Sequence, residues 1–176
     1  MTKNIILIGF MGCGKSSIGR RLAMRLGHEF LDSDELIIEA ADGRSISDIF
    51  AEEGEERFRD RETRTLQGLI GSTSIVLATG GGAVLRPANR EILRTIGTTV
   101  WLHADPEILF ERATRSRKRP LLEVENPRTT FNTLLEARLP VYGEAADLKV
   151  DASGLSHEQT VESIMRAIVG TVSQGF

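Results

Sequence analysis

The chain has 176 residues, 40% of them apolar and 27% charged, with a formal net charge of −3 and a pI near 5.7. This balance is that of a globular protein able to bury a core, and it argues against a nucleic-acid binder that relies on a broad basic surface. One cysteine, Cys13, excludes an internal disulfide framework, and no stretch approaches the length of a membrane span.

No internal repeat, low-complexity tract or linker-like shift of composition divides the chain, so one domain over 1–176 is expected. Met1-Thr2-Lys3-Asn4-Ile5 enters a strand pattern at once, and its apolar run is too short for a secretory signal. A cytoplasmic location is therefore expected.

The first strand is Ile5-Ile6-Leu7-Ile8, and directly behind it runs Gly9-Phe10-Met11-Gly12-Cys13-Gly14-Lys15-Ser16. This is the G-x-x-x-x-G-K-S pattern of a phosphate-binding P-loop. Its glycines let backbone N–H groups approach a phosphate chain, with the positive end of a helix behind them. Lys15 then reaches the outer phosphates, and the Ser16 hydroxyl meets Mg²⁺. A match this short can also be a plain glycine turn, so its context decides: it must follow a strand and open a helix. Ile18, Leu22 and Leu26 stand at helical spacing behind it, and Gly27 provides a stop. The stretch is read as a nucleoside triphosphate site.

Glu29-Phe30-Leu31-Asp32-Ser33-Asp34 reads as a short strand ending in acids. Helices are expected over Glu35 to Asp42 and Ile46 to Glu53, divided by Gly43, with Ser45 and Asp48 as a capping pair. Gly54 introduces a longer helix through Phe58, Leu66, Leu69 and Ile70. Ile75-Val76-Leu77-Ala78 is a second buried strand and runs into Thr79-Gly80-Gly81-Gly82. A helix over about Pro87 to Ile96 leads to a strand over Thr98 to His103, and Asp105-Pro106 starts a helix toward Arg115. Residues 116 to 127 are basic, contain proline and lack periodicity, as a mobile loop does. A helix from Arg128 is expected to end near Pro140, and Leu148-Lys149-Val150 is the last strand. Ser156 with Gln159 caps a final helix carrying Val161, Ile164, Met165 and Ile168.

Strands alternating with helices imply an α/β fold whose parallel sheet is covered on both faces, with ligands at the carboxyl ends of the strands. Three polar features then converge on one edge: the P-loop, Asp32 with Asp34, and the triple glycine. Two residues apart on an extended segment, Asp32 and Asp34 point to the same side. One can hold Mg²⁺, directly or through water, while the other accepts a hydroxyl proton. The plainer alternative is a helix cap at Asp34 beside a solvated Asp32. Arg59 and Glu62, one helical turn apart, read by themselves as a surface ion pair. Gly80-Gly81-Gly82 is either a loose turn or main chain against which a ligand rests. Arg115, Arg117, Lys118 and Arg119 are either solvated charges or a lid that closes over phosphates. Arg138 alone reads as a helix-terminal cap partner. Cys13 is a small residue in a tight loop, Trp101 belongs to a core strand, and His28, His103 and His157 form no ligand spacing.

Taken together, these residues resemble the shikimate kinases. The likeness spans nearly the whole chain: the P-loop, Asp32-Ser33-Asp34, Gly54-Glu55 with Phe58-Arg59 and Glu62, Gly80-Gly81-Gly82, Arg119-Pro120-Leu121-Leu122, and Arg138-Leu139-Pro140-Val141-Tyr142. The resemblance implies a three-layer αβα P-loop sandwich with a central, mainly five-stranded parallel sheet, a mobile lid over about 114–127 and a shikimate-binding region over about 33–62. It implies transfer of the γ-phosphate of ATP to the 3-hydroxyl of shikimate, in aromatic amino-acid biosynthesis, with Mg²⁺ as cofactor.

By the same resemblance, Gly12, Cys13, Gly14, Lys15, Ser16 and Ser17 hold ATP, and Lys15 steadies the transferring phosphoryl group. Ser16 binds Mg²⁺, and Asp32 stands on the metal's water shell. Asp34 holds the shikimate hydroxyls and is the base. Arg59 and Arg138 grip the substrate carboxylate, and the main chain around Gly81 and Gly82 meets the ring hydroxyls. Arg119 is the lid arginine at the ATP phosphates, and Arg112 lies beside the adenine. The stretch from Asp34 to Gly43 is one residue longer than the family spacing, which moves the register of Phe58-Arg59. ATP and shikimate are the expected partners of a monomer, with neither nucleic acid nor membrane.

The alternative within this fold is a gluconate kinase, which shares Lys15 and Ser16 but needs no pair of arginines for a carboxylate. A GTPase switch wants N-K-x-D, which is absent, and the D-x-x-G stretch Asp151-Ala152-Ser153-Gly154 falls after the last strand. A mere ATP-binding module leaves Asp34 without a purpose.

Overall fold

The computed structural model describes residues 3–115 and 125–172. Its centre is two short aliphatic strands, β1 (Ile5–Ile8) and β3 (Ile75–Ala78), whose residues are all buried. Unbroken apolar runs of this kind suit the middle of a parallel sheet, where both faces are covered. β1 pairs with β3 on one side and with β4 (Thr98–His103) on the other. β2 (Glu29–Asp32) extends the sheet beyond β3, and β5 (Leu148–Asp151) extends it beyond β4. All pairs are parallel, giving the five-stranded order β2-β3-β1-β4-β5.

Helices flank this sheet. α1 (Lys15–Leu26) buries Ile18, Leu22 and Ala23 and packs against β2, β3 and α7 (His157–Val172), which also lies along β5. α4 (Pro87–Ile96) and α6 (Pro127–Ala145) pack on β4. α5 (Pro106–Thr114) lies against α6. α2 (Ser33–Ala40) and α3 (Ile46–Gly68) form a separate pair with a small core of Ile37, Ala41, Ile49 and Phe58. No helix among the described residues is long and apolar enough to cross a membrane.

The sheet order places the site. From β1 the chain travels to β2 at one edge, whereas from β3 it crosses to β4 on the other side of β1. Adjacent strands whose connections leave in opposite directions open a crevice at their carboxyl ends. The two loops bordering that crevice are the P-loop after β1 and the triple glycine after β3.

Three elements differ from the pattern in the sequence. β2 stops at Asp32, and α2 begins at Ser33, so Asp34 sits in a helical first turn and the two acids are not on one extended segment. Asp32 is the cap: its side chain accepts the Asp34 backbone N–H at 3.0 Å. α2 ends at Ala40, and the chain turns through Asp42 (φ 55°) and Gly43 (φ 83°). The helices expected on either side of Gly54 are joined end to end, with Gly54 itself at φ 80° and ψ 168° as the kink, and the second ends at Gly68 rather than Ile70. Finally, α6 begins at Pro127 and runs through Pro140 to Ala145. A proline there removes one backbone hydrogen bond, but the buried stripe of Phe131, Leu135, Arg138, Tyr142 and Ala145 continues on both sides of it and holds both halves. Arg138 is therefore inside a helix, not at its end.

Candidate active site

The P-loop wraps the start of α1. Gly9, Gly12 and Gly14 adopt φ of 145°, 84° and 89°, values that a residue with a Cβ rarely takes. Space excludes a side chain as well: a Cβ on Gly12 would stand 2.5 Å from the Leu109 carbonyl oxygen, because α5 backs directly onto the loop. Arg112, also on α5, is thereby brought to this side of the crevice, half-buried. Lys15 Nζ donates to the carbonyl oxygens of Gly9 at 2.7 Å and Phe10 at 3.2 Å, with Cys13 Sγ at 3.5 Å. Cys13 is fully buried, as a small residue in a tight loop. Ser17 is exposed in the first turn of α1.

Ser16 Oγ donates to Asp32 Oδ2 at 2.7 Å, so the hydroxyl and the carboxylate stand together at the solvent-facing mouth. Both are hard oxygen donors of the kind Mg²⁺ takes, and that ion characteristically uses one or two protein oxygens, completing its shell with phosphate and water. Among the described residues no cluster of three or more His, Cys, Asp or Glu side chains could hold a metal by itself. The pair fits a magnesium ion that arrives with a phosphate chain.

Across the crevice, the triple glycine is crowded by charged side chains. A Cβ on Gly80 would meet Asp34 Oδ1 at 2.7 Å and Glu62 Oε1 at 3.1 Å. A Cβ on Gly82 would meet the Arg59 guanidinium at 2.6 Å, and one on Gly81 would lie 3.7 Å from both Arg138 Nη1 and the Tyr142 hydroxyl. Gly80 and Gly82 leave room for side chains from α2 and α3, while those from α6 come into ordinary contact distance at Gly81. Asp34, Arg59, Gly81, Gly82 and Arg138 are thus brought to one place. The Arg59 side chain points at the glycine loop.

Glu62 is not a surface residue. It is 2% exposed, and Arg59 Nη1 donates to it at 2.6 Å while Arg59 Nη2 reaches Glu55 at 3.1 Å. Burial pushes the Glu62 carboxyl above its usual range, and the charge of Asp34 adds to this, while Arg59 and Arg138 pull the other way. Glu62 and Glu55 in turn hold Arg59 firmly cationic against its own burial. Arg138 is 8% exposed, stacked 5.5 Å from the Phe10 ring of the P-loop. Among the described residues no carboxylate pairs directly with it. A buried guanidinium in that position is costly unless an anion meets it.

Two further residues belong here that spacing did not single out. Tyr142, one helical turn beyond Arg138, donates its hydroxyl to the Gly81 carbonyl at 2.6 Å, and Ser33, between the two acids, accepts the Gly80 N–H at 2.9 Å. Their signal was adjacency to charged residues, which carries no information on where a neutral hydroxyl points. Arg119, with Arg117 and Lys118, lies outside the described residues, as does most of the stretch 114–127.

Comparison with known proteins shows the family and the fold. The family model described as shikimate kinase matches residues 11–169. A shikimate kinase of Thioalkalivibrio sulfidiphilus is 49% identical over 165 residues, covering 94% of this chain and 86% of that protein. The shikimate kinase from Acinetobacter baumannii, solved in complex with shikimate, superposes with a TM-score of 0.92 at 41% identity, over 97% of this chain and 95% of that one. A gluconokinase from Sinorhizobium meliloti, covering 99% of this chain and 98% of its own, reaches only 0.61 at 21% identity, a likeness of fold alone. With the family model covering the P-loop from Met11 onward, the glycine loop and both arginines, the chain belongs to the shikimate kinase family.

Proposed function

We propose that the protein transfers the γ-phosphate of ATP to the 3-hydroxyl of shikimate, giving shikimate 3-phosphate and ADP. The observation that carries this is the convergence of Asp34, Arg59 and Arg138 on the glycine loop, directly across the crevice from the P-loop. Phosphoryl transfer asks a protein for positioning and charge neutralisation more than for covalent chemistry. The backbone N–H groups from Gly12 to Ser17 cradle the phosphates, and Lys15 exchanges the Gly9 and Phe10 carbonyls for phosphate oxygens. Ser16 and Asp32 are the residues that would hold Mg²⁺, which when bound neutralises charge on the phosphates.

On the acceptor side, Arg138 and Arg59 take the carboxylate, a planar anion that suits the guanidinium fork. In a chain of net charge −3, two arginines set against apolar rings supply the guanidinium donors for this anion, Arg59 from a position it shares with Glu62 and Glu55. Asp34 accepts the proton of the attacking hydroxyl, with Gly81 and Gly82 supplying main chain for the ring hydroxyls. Arg112 lies beside the adenine, and Arg119, on a lid over about 114–127, completes the charge around the γ-phosphate.

The test is ADP release from Mg·ATP with shikimate, set against gluconate, nucleoside monophosphates and no acceptor. Release specific to shikimate and lost on chelation is expected; release with gluconate alone would overturn the acceptor assignment while keeping the nucleotide site. Asp34→Asn should lower turnover by at least about 100-fold, the usual contribution of a general base, with ATP affinity preserved. Turnover of this variant at the wild-type rate would remove Asp34 as the base.

A further inference from the structure

The segment Gly80-Gly81 is held at both ends, at the Gly80 N–H and the Gly81 carbonyl, by buried hydroxyls that take no part in the chemistry above. From α2, Ser33 accepts the Gly80 N–H at 2.9 Å with its side chain 2% exposed. From α6, Tyr142 donates to the Gly81 carbonyl at 2.6 Å and is 1% exposed. The Gly80 carbonyl is occupied too, accepting the Ala83 N–H at 3.1 Å. Among the described residues, the N–H groups of Gly81 and Gly82 have no such partner, so they remain available to an acceptor molecule.

The placement of the two hydroxyls is informative. Ser33 is the residue before Asp34, and Tyr142 is one helical turn from Arg138. Asp34 and Arg138 lie against Gly80 and Gly81 respectively, so each hydroxyl ties one end of this two-residue segment to the element that carries one of them. Neither tie is loose. Tyr142 packs against Trp101 of β4 at a ring separation of 5.9 Å, which refers its hydroxyl to the sheet. Three successive glycines have the widest backbone freedom of any residues, and without external restraint this loop would sample many orientations.

We propose that Ser33 and Tyr142 are positioning residues that fix the two-residue segment Gly80-Gly81 between α2 and α6, holding the peptide units that flank it, and with it the aim of Asp34 and Arg138 on the acceptor. The inference rests on reading this pocket as the acceptor site. Because burial raises the Tyr142 hydroxyl well above the ordinary tyrosine range, it stays a donor throughout the working pH range and adds no limb to the pH profile.

The test compares Ser33→Ala, Tyr142→Phe and the double variant with wild type, varying shikimate and ATP separately and following amide hydrogen exchange across Gly80 to Ala83. Each single variant should raise the shikimate KM by about three- to tenfold, the worth of one hydrogen bond, with the ATP KM unchanged. The double variant should fall short of the product of the two, since both restrain the same two-residue segment. Exchange at Gly80 should quicken in Ser33→Ala. If wild type turns over shikimate and neither single variant moves its KM, or both KM values rise together with a loss of stability, the positioning role is overturned. If wild type turns over no shikimate, the acceptor reading fails instead. Hydrogen exchange then decides the clamp alone: faster exchange at Gly80 upholds it and unchanged exchange overturns it.

Discussion

At the scale of residues, the glycine loop shows how a missing side chain can place a charged one. Gly82 has φ −99° and needs no special backbone freedom; what it lacks is the Cβ that would collide with Arg59. Turning Arg59 aside also disturbs its pair with the buried Glu62, so Gly82→Ala should lower stability by about 1–3 kcal/mol. It should also raise the shikimate KM about tenfold by turning Arg59 aside, with the ATP KM unmoved. Steady-state kinetics beside urea unfolding separates the two effects.

Glu62 makes a different prediction, because its carboxyl is raised in the folded state. The native protein then binds that proton more tightly than the unfolded chain. The stability it contributes is fully present below the ordinary glutamate value of 4.5 and is lost as pH rises through the native value. Glu62→Gln cannot ionise and lacks this slope. Unfolding measured at steps above pH 4.5 should show wild type losing ground to the variant as pH rises, whatever the offset between them. Parallel curves would assign Glu62 an ordinary titration.

At the scale of elements, the junctions carry the information. Asp32 closes β2, caps α2 and takes the Ser16 hydroxyl, so one carboxylate ends a strand, begins a helix and joins the nucleotide side of the crevice. Its lesson is that two acids in D-x-D spacing need not share a strand: a helix can start between them when the first acid is its cap. In α3, Gly54 turns the helix so that the segment from Ile46 packs on α2 while Arg59 beyond it faces the glycine loop. Across this kink, Glu53 takes a two-pronged bond from Arg61 at 2.8 Å for each prong. Open space surrounds the Gly54 Cβ position, so Gly54→Ala costs only backbone strain. At φ 80° and ψ 168° that strain is about 1–3 kcal/mol, to be read as a lowered urea midpoint with unchanged slope.

At the scale of the whole molecule, the two ends of the sheet have separate tasks. At the amino end, Asn4 donates to the carbonyls of Ser72 at 2.6 Å and Ile96 at 3.0 Å and accepts the Ile75 N–H at 3.1 Å, tying β1 to the chain around β3 and to the end of α4. Asn4→Ala should therefore cost about 3 kcal/mol, roughly one per bond, with both KM values unchanged while the protein is folded. A changed KM for either substrate would show that the two ends are coupled. The carboxyl end holds the crevice, and much of it was legible in residue order. A P-loop behind an aliphatic strand, the triple glycine behind another and the alternation of strands and helices suffice for an α/β sheet with a phosphate site, because backbone chemistry and local periodicity are written in consecutive residues. Arg59, Glu62 and Arg138 were not readable from their surroundings in sequence: an arginine one turn from a glutamate, or next to a proline, has the pattern of an ordinary surface pair or a helix end. Only packing buried Glu62, carried α6 through Pro140 so that Arg138 stayed within a helix, and brought both arginines onto glycines on another loop. Burial and convergence depend on long-range packing, so they were decided by tertiary structure, whereas the P-loop, whose conformation is built from consecutive residues between a strand and a helix, was determined by the sequence itself.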